Sequence, residues 1–216
     1  MIIAIDGPAG AGKSTISRRL AERIGCVRLD TGALYRVVAL ACTRHGLAPD
    51  APGIQRFVAG LAIRFHDDRV FLGAEDVSAV IRTPAISTAA SQYAAIPGVR
   101  AALLDLQRRI GRTQDSVVDG RDIGTVVFPD AEVKIFLTAR AEARAERRCA
   151  ELRAMGLEAV FETVLGEIRA RDKADTERAT APLKRAQDAT LVDATTLGIE
   201  EVVARCVEIV HAKGLA

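Results

Sequence analysis

The chain has no tryptophan, only two tyrosines and six phenylalanines, so the core it builds is aliphatic. It has no cysteine pair at C-x-x-C spacing; Cys26, Cys42, Cys149 and Cys206 are scattered. Scattered thiols suit a reducing cytosol and argue against a disulfide frame or a zinc site. His45, His66 and His211 are equally isolated, and no protein-ligated metal cluster is expected. Neither sign of charge prevails: 30 basic against 28 acidic side chains give a formal net charge of +2. That is too near balance for nucleic acid or a membrane as the main partner. No apolar run approaches the ~20 residues of a membrane helix. The apolar start is cut at once by Asp6 and Gly7, which does not read as a secretion signal. Internal repeats and low-complexity segments are absent. What is present is 216 residues, 49% hydrophobic. At roughly 150 residues per domain this is one domain, or one with an elaborated insert.

The most informative stretch is Gly7-Pro8-Ala9-Gly10-Ala11-Gly12-Lys13-Ser14, followed by Thr15. It fits G-x-x-x-x-G-K-[ST] in full, between an apolar run and a helical pattern, which is the order a phosphate-binding loop needs. Its glycines let successive N–H groups turn inward toward phosphate oxygens. The following helix adds the partial positive charge of its N-terminus. Lys13 can reach the β- and γ-phosphates, and Ser14 can offer a hydroxyl to Mg²⁺. ATP or GTP binding is expected.

Along the chain, Ile2–Asp6 reads as a strand buried on both faces. Lys13 to Ile24 reads as a helix with Ile16, Leu20 and Ile24 on one side, ended by Gly25. Val27–Leu29 is a short strand, and Asp30-Thr31-Gly32 opens a helix through about Arg44. A short helical piece follows the loop 46–52. Leu61–Phe65 and Val70–Leu72 flank His66-Asp67-Asp68-Arg69, a hairpin signal, and Val77 to Ile81 is expected to add a third strand. Two helices split by Pro97-Gly98 come next, then a strand Asp115–Asp119 and another, Val133–Leu137. Ala141 to Met155 and Leu157 to about Arg171 read as helices. Lys173 to Ala186 is charged, and Pro182 bars a long helix there. Leu191-Val192 is the last strand. Ile199 to His211 is an amphipathic helix with Ile199, Val203, Cys206 and Val210 facing inward. Strands alternating with helices predict an α/β fold with a doubly wound parallel sheet, flanked by helices and carrying a small antiparallel insert near 60–83. Ligands of such sheets lie beyond the C-terminal strand ends. The phosphate loop, Asp30-Thr31-Gly32 and Asp119-Gly120-Arg121-Asp122 are expected on that rim.

Phosphoryl transfer needs in-line positioning and neutralisation of charge on the moving group. Arginines, a lysine and Mg²⁺ ligands are the side chains to look for. Arg144, Arg147 and Arg148 share a helical face by their spacing, although Arg-rich helices with interspersed Glu are also ordinary solvated, paired faces. Arg171, Asp175 and Arg178 share a face if the helix continues that far. They precede a charged, Pro-ended loop suited to a mobile lid. Asp119, at a strand end, is placed to hold Mg²⁺ through water; the alternative is a loop cap. Arg36 alone would be an ordinary surface arginine.

These residues together resemble the bacterial cytidylate (CMP) kinases, of the nucleoside monophosphate kinase fold. The resemblance runs from Ile3–Pro8 through Asp30-Thr31-Gly32-Ala33-Leu34-Tyr35-Arg36. It continues in 73–78, Ile81-Arg82-Thr83 and Ala90-Ser91-Gln92. Asp119-Gly120-Arg121-Asp122-Ile123-Gly124-Thr125-Val126-Val127-Phe128-Pro129 is its most specific part, and Arg171-Asp172, Asp175 and Arg178 before Ala181-Pro182-Leu183 complete it. The resemblance implies a single P-loop kinase domain with a core of about 1–40, 84–147 and 165–216. It implies an acceptor-binding part of about 41–83 that includes the insert, and an Arg-rich lid of about 148–160. It implies that Lys13, Arg36, Arg121, Arg171 and Arg178 hold the phosphates and that Asp175 binds the ribose hydroxyls. Ser91, Arg100 and Asp122 would read the base. Thr31 lines the acceptor site where many relatives carry Ser, and Arg147 and Arg148 match lid arginines on the ATP side.

The activity it implies is direct transfer of the γ-phosphoryl of MgATP to CMP or dCMP, giving ADP and CDP or dCDP, without a phosphoenzyme. A cytoplasmic monomer in pyrimidine nucleotide metabolism is expected, with neither nucleic acid nor a membrane as partner. The base assignment also has a physical rationale. Asp122 can accept from the exocyclic amine of cytosine, and Arg100 can donate to its ring nitrogen and carbonyl. Uracil would set a carbonyl against the carboxylate, leaving a buried charge unpaired. Two other readings stay open on the residues alone: a P-loop kinase for another small molecule, and a nucleotide-dependent switch that hydrolyses ATP slowly to drive a partner.

Overall fold

In the computed structural model of the protein, which describes residues 1–66 and 69–215, the unbroken apolar run at the start forms strand β1 (Ile2–Asp6), buried along its whole length. Burial on both faces is what an inner strand of a helix-covered parallel sheet demands. The chain divides into two compact units, Met1–Leu29 with Gln114–Ala216, and Asp30–Thr113.

The first unit is the sheet. Its strands are β1, β2 (Val27–Asp30), β6 (Ser116–Gly120), β7 (Val133–Thr138) and β8 (Thr190–Asp193), in the order β2-β6-β1-β7-β8. β1 runs parallel to both neighbours, with Ile5 opposite Asp119 and Asp6 opposite Gly120 on one side and Ile3 opposite Val133 on the other. β7 and β8 are parallel as well. Helix α1 (Lys13–Ile24) and helix α8 (Ile199–His211) pack Ile16, Leu20, Val202, Val203, Cys206 and Val210 against Ile3, Ile5, Ile135 and Leu137 of the sheet. Each such side chain stabilises the fold by about 1.5–3 kcal/mol on burial. Gly25 ends α1 at φ 70, as read from the sequence. Ile199 does not face inward as expected. It is the first residue of α8 and half exposed, and Val202 takes the buried place one turn on.

Helices α6 (Ala141–Ala154) and α7 (Phe161–Glu177) pack on each other through Ala145, Cys149, Val164, Leu165 and Ile168. α7 departs from the expected limits at both ends. Gly156, at φ 75, closes α6, and 157–160 is non-helical, so α7 starts later. It then runs on to Glu177, because Pro182 lies far enough downstream to leave that stretch helical; the backbone turns extended at Arg178. The expected lid stretch, 148–160, thus spans the end of α6 and its link to α7, where Met155, Leu157 and Val160 are exposed. A π-helical turn, Ile123–Val127, follows β6 and was not foreseen.

The second unit is built on α2 (Thr31–Arg44), α3 (Ile54–Ala59), α4 (Pro84–Ala94) and α5 (Pro97–Gly111). α4 lies against α2 and α5 against α3, around Leu34, Val37, Val38, Ile81, Tyr93, Val99 and Leu103. The helices over 84–111, read from the sequence as part of the core, pack in this unit for that reason. The antiparallel insert is present as β3 (Ile63–His66), β4 (Arg69–Leu72) and β5 (Glu75–Asp76). Ile63 pairs with Leu72 and His66 with Arg69; the expected turn residues Asp67 and Asp68 lie outside the described residues. The third strand is not at 77–81. It comes earlier because the chain turns at Gly73-Ala74 and pairs at once, Glu75 opposite Leu72. Ser78 then ends it: its N–H donates to Asp76 Oδ1 and its hydroxyl accepts from Val70 N–H. Val80–Arg82 is a 3-10 turn.

Candidate functional site

In the first unit the phosphate loop, 7–12, leaves the C-terminal end of β1, and Arg121 leaves the C-terminal end of the adjacent β6. Gly7 has φ +152, and a Cβ there would lie 1.9 Å from the carbonyl oxygen of Leu137, so no side chain fits. Gly12 precedes α1 at φ 91, in the left-handed region that favours glycine. Thr15 N–H donates to Gly12 O at 3.0 Å in the first turn. Lys13 is buried, and its Nζ donates to Gly7 O and Pro8 O, each at 2.7 Å. Burial, with the Arg121 cation adding to it, holds Lys13 well below the usual lysine range, against the opposing pull of Asp119, Asp175 and Asp6. A desolvated ammonium at the mouth of a loop of inward amides is a group whose charge an arriving phosphate stabilises.

Asp119 is buried on β6 and tied to α1. Ser17 Oγ donates to its Oδ1 at 2.7 Å and Ser14 Oγ to its Oδ2 at 3.4 Å. Arg28 Nε, from β2, reaches Ser17 Oγ at 2.8 Å and Asp119 Oδ1 at 3.2 Å. Ser14 and Asp119 are therefore neighbours, as the metal reading requires. A hydroxyl beside a carboxylate oxygen is also the hard donor class that Mg²⁺ takes.

Beyond β6, Arg121, Asp122, Asp175 and Arg178 come together within this unit. Arg121 Nε donates to Asp175 Oδ2 at 2.8 Å. Burial works to raise Asp175, but Arg121, helped by Arg171 and Arg178, outweighs it and holds the carboxyl below its ordinary value. Arg178 Nη2 donates to Asp122 Oδ1 at 3.2 Å, an ion pair with both side chains buried, and its Nε donates to Ala181 O at 2.5 Å. Leu183 N–H donates to Asp175 O at 2.7 Å, fastening the loop after α7.

The three arginines of α6 do not act as one face. Arg144 is buried, bidentate to Asp172 at 2.9 and 2.5 Å, and donates also to Ala139 O and to Ala9 O of the phosphate loop, each at 2.8 Å. Arg147 donates to the carbonyls of Ala194 and Thr195. Only Arg148 makes the solvated pair that the helix composition suggests, with Glu151 at 3.1 Å.

In the second unit, Asp30 caps α2, accepting from Ala33 N–H at 3.0 Å and from Arg36 Nη2 at 2.7 Å. Gly32 leaves room for this pair, since a Cβ there would lie 3.1 Å from Asp30 Oδ1 and 3.3 Å from Arg36 Nη1. Thr31 is buried beside them in the chain. Arg100, from α5, places its guanidinium 5.5 Å from the centre of the Tyr35 ring and donates to Ala94 O at 3.3 Å. This brings it to α2 at Tyr35. Ser91 Oγ turns back along its own helix to Ser87 O, at 3.5 Å.

Sequence reasoning passed over Asp6, Ser17, Arg28 and the anchoring role of Arg144. Asp6 carried a signal, being a carboxylate at the end of an all-apolar strand. Arg28 carried none, for it looks like any outward residue of a short strand.

The family model described as cytidylate kinase matches residues 3–212. The chain is 51% identical over 211 residues to the cytidylate kinase of Thermosipho melanesiensis, covering 98% of this chain and 97% of that protein. It is 49% identical over 215 residues to the cytidylate kinase of Syntrophotalea carbinolica, covering 97% and 92%, and 49% identical over 215 residues to that of Mycobacterium leprae, covering 99% and 96%. Among solved structures, an uncharacterized protein from Eubacterium ventriosum aligns over 98% of this chain and 99% of its own at a TM-score of 0.56 and 12% identity, a likeness of fold alone.

Proposed function

The chain belongs to the cytidylate kinase family and is a phosphotransferase, and from that premise we propose how its residues carry the γ-phosphoryl of ATP to the 5′-phosphate of CMP or dCMP. The observation that carries the reading is the charge arrangement around the phosphate loop. Lys13, Arg121, Arg171 and Arg178 come from the loop, the end of β6 and the end of α7, with Asp175 and Asp122 as their paired carboxylates.

The backbone amides of 7–15 bind the β- and γ-phosphates. Lys13, Arg121, Arg171 and Arg178 hold the transferring group in line and take up the charge that spreads over its oxygens. Asp175 accepts from the ribose hydroxyls. Asp122 accepts from the cytosine amine. In the second unit, Arg36 binds the acceptor phosphate, Thr31 lines its site, and Arg100 and Ser91 contribute to reading the base. Arg148, in the lid stretch 148–160, and Arg147 just before it serve the ATP side, and closure of that stretch excludes water and suppresses ATP hydrolysis.

Ser14 and Asp119 would hold the Mg²⁺ that accompanies ATP; the donor set of hydroxyl and carboxylate fits that ion. Mg²⁺ with ATP supplies charge neutralisation on the triphosphate. All four cysteines are free thiols, in keeping with a cytoplasmic protein, and the enzyme acts as a monomer on small-molecule substrates.

A coupled assay of ADP release tests the reading. ADP release is expected to depend on CMP or dCMP and to be far slower with UMP at equal concentration. ADP release that no monophosphate accelerates would overturn it.

A further inference from the structure

Strand β1 ends in a carboxylate that none of the roles above uses. Asp6 is 4% exposed. Its Oδ1 accepts from Ile123 N–H and its Oδ2 from Gly124 N–H, both at 2.7 Å. These are the first two amides of the π-helical turn Ile123–Val127, donors that have no acceptor inside a helix and must find one elsewhere. The usual acceptor is the side chain of the residue just before the helix. Here that residue is Asp122, a favoured capping type, yet its side chain makes no capping bond. It lies instead against Arg178. Two carboxylates have divided two tasks: the distant one caps the turn, and the local one is presented to Arg178.

We propose that Asp6 is a positioning residue for acceptor recognition. By capping the 123–127 turn from the neighbouring strand, it keeps Asp122 from capping that turn itself and so holds the Asp122 carboxylate where it discriminates the base. The inference rests on the assignment of Asp122 to the base made above.

The packing around the turn agrees. A Cβ on Gly124 would lie 3.4 Å from Asp6 Oδ2 and 3.1 Å from Lys134 Cδ, so the turn is pressed onto Asp6 with no room for a larger residue. Lys134 Nζ is itself held by Pro129 O and Asp188, each at 2.7 Å, which anchors the chain just after the turn. Burial raises the Asp6 carboxyl to about 6, offset mainly by the amides of Gly124 and Ile123; Asp122 pushes it further up and Lys13 pulls it down. A carboxylate kept at that cost, in a strand otherwise made of Ile and Ala, has a task beyond filling space.

The test is the Asp6→Asn variant, compared with Asp122→Ala and with the double variant. An Asn side chain sets an N–H₂ group against one of the two amides, so one of the two capping bonds is lost while size is kept. The expected result is a CMP-over-UMP ratio of kcat/KM reduced by about 10-fold or more, with the KM for ATP within about 3-fold of wild type. Because Asp6 acts through Asp122, the double variant is expected to lose no more selectivity than Asp122→Ala alone. A wild-type ratio in Asp6→Asn, or losses that simply multiply in the double variant, would overturn the inference. If Asp122→Ala itself keeps full selectivity, the base assignment fails first, which is a different outcome from a silent Asp6→Asn beside an impaired Asp122→Ala.

Should Asp6→Asn fail to fold, the wild-type protein carries the same test. As pH is lowered through about 6, the value that burial gives Asp6, the amide resonances of Ile123 and Gly124 and the CMP-over-UMP affinity ratio are expected to shift together. The ratio cancels the titration of the acceptor phosphate, which both nucleotides share. A ratio that stays flat while the amides titrate would overturn the inference.

Discussion

A Cβ placed on Gly7 would stand 1.9 Å from the carbonyl oxygen of Leu137. The first residue of the phosphate loop therefore crosses β7 at backbone-to-backbone distance, and the obstacle is main chain that cannot swing aside. Gly7→Ala is expected to cost roughly 3 kcal/mol or more of stability and to weaken binding of a non-hydrolysable ATP analogue. Urea unfolding and analogue titration measure the two. A stability loss below about 1 kcal/mol would mean that β7 yields.

Arg144 and Arg148 lie four residues apart and are expected to behave as opposites. Arg144→Ala removes a buried bidentate pair and two carbonyl contacts, to Ala9 and Ala139; it should lower stability by about 2–4 kcal/mol. Arg148→Ala breaks only an exposed pair with Glu151 and should leave stability within about 0.5 kcal/mol of wild type. If Arg148 serves the ATP side, the same change raises the KM for ATP or lowers kcat. Unchanged kinetics would return Arg148 to the solvated surface.

Arg28 is expected to matter through Asp119. Arg28→Leu takes the guanidinium from a buried carboxylate and should cost about 2–3 kcal/mol. In the Arg28→Leu/Asp119→Asn double variant much of that loss should return, because no buried negative charge remains to be compensated. Denaturant unfolding of the four proteins in this cycle gives the coupling; strict additivity would show that the two side chains do not sense each other.

Asp6 gives the stability a pH dependence of definite sign. Burial raises its carboxyl from an unperturbed 3.8 to about 6, so the folded protein binds the proton more tightly than the unfolded chain. The corresponding stability is fully present below the unfolded value and is lost as pH rises through about 6. The whole span is roughly 3 kcal/mol. Asp175, held below its ordinary value, acts in the opposite direction: its contribution is present above the unfolded value and is lost as pH falls through the folded one. The difference in unfolding free energy between wild type and Asp6→Asn isolates the first effect. It should shift toward wild type as pH is lowered through about 6; a difference independent of pH would contradict the raised value.

The phosphate loop could be read directly, because glycine spacing, the apolar strand before it and the helical period after it are all local. The same holds for α1, α2 and the β3–β4 hairpin. The strand-end rule and helical spacing single out Asp119–Asp122 and Arg171, Asp175 and Arg178, while the substrate roles of Arg121, Asp122 and the α7 residues come from the family resemblance. The third insert strand was misplaced because Val77 and Ile81 look like strand residues, while the turn at Gly73-Ala74 and the Asp76–Ser78 contact decide where pairing stops. Asp6 with Ile123, and Arg28 with Asp119, were out of reach for a different reason. Each joins residues far apart in the chain, and only the register that puts Ile5 beside Asp119 and Asp6 beside Gly120 makes them neighbours.

One guanidinium fixes two parts of the first unit to each other. Arg144 grips Ala9 of the phosphate loop and Asp172 of α7 at once, and Asp172 follows Arg171 and precedes Asp175 by less than a helical turn. Donor loop and arginine-bearing helix are thereby bolted into one plate. In the proposed lid movement the part of this unit left to flex lies farther out, at the tip where α6 gives way to α7, and a crosslink spanning that tip is expected to slow turnover without loosening the grip on ATP.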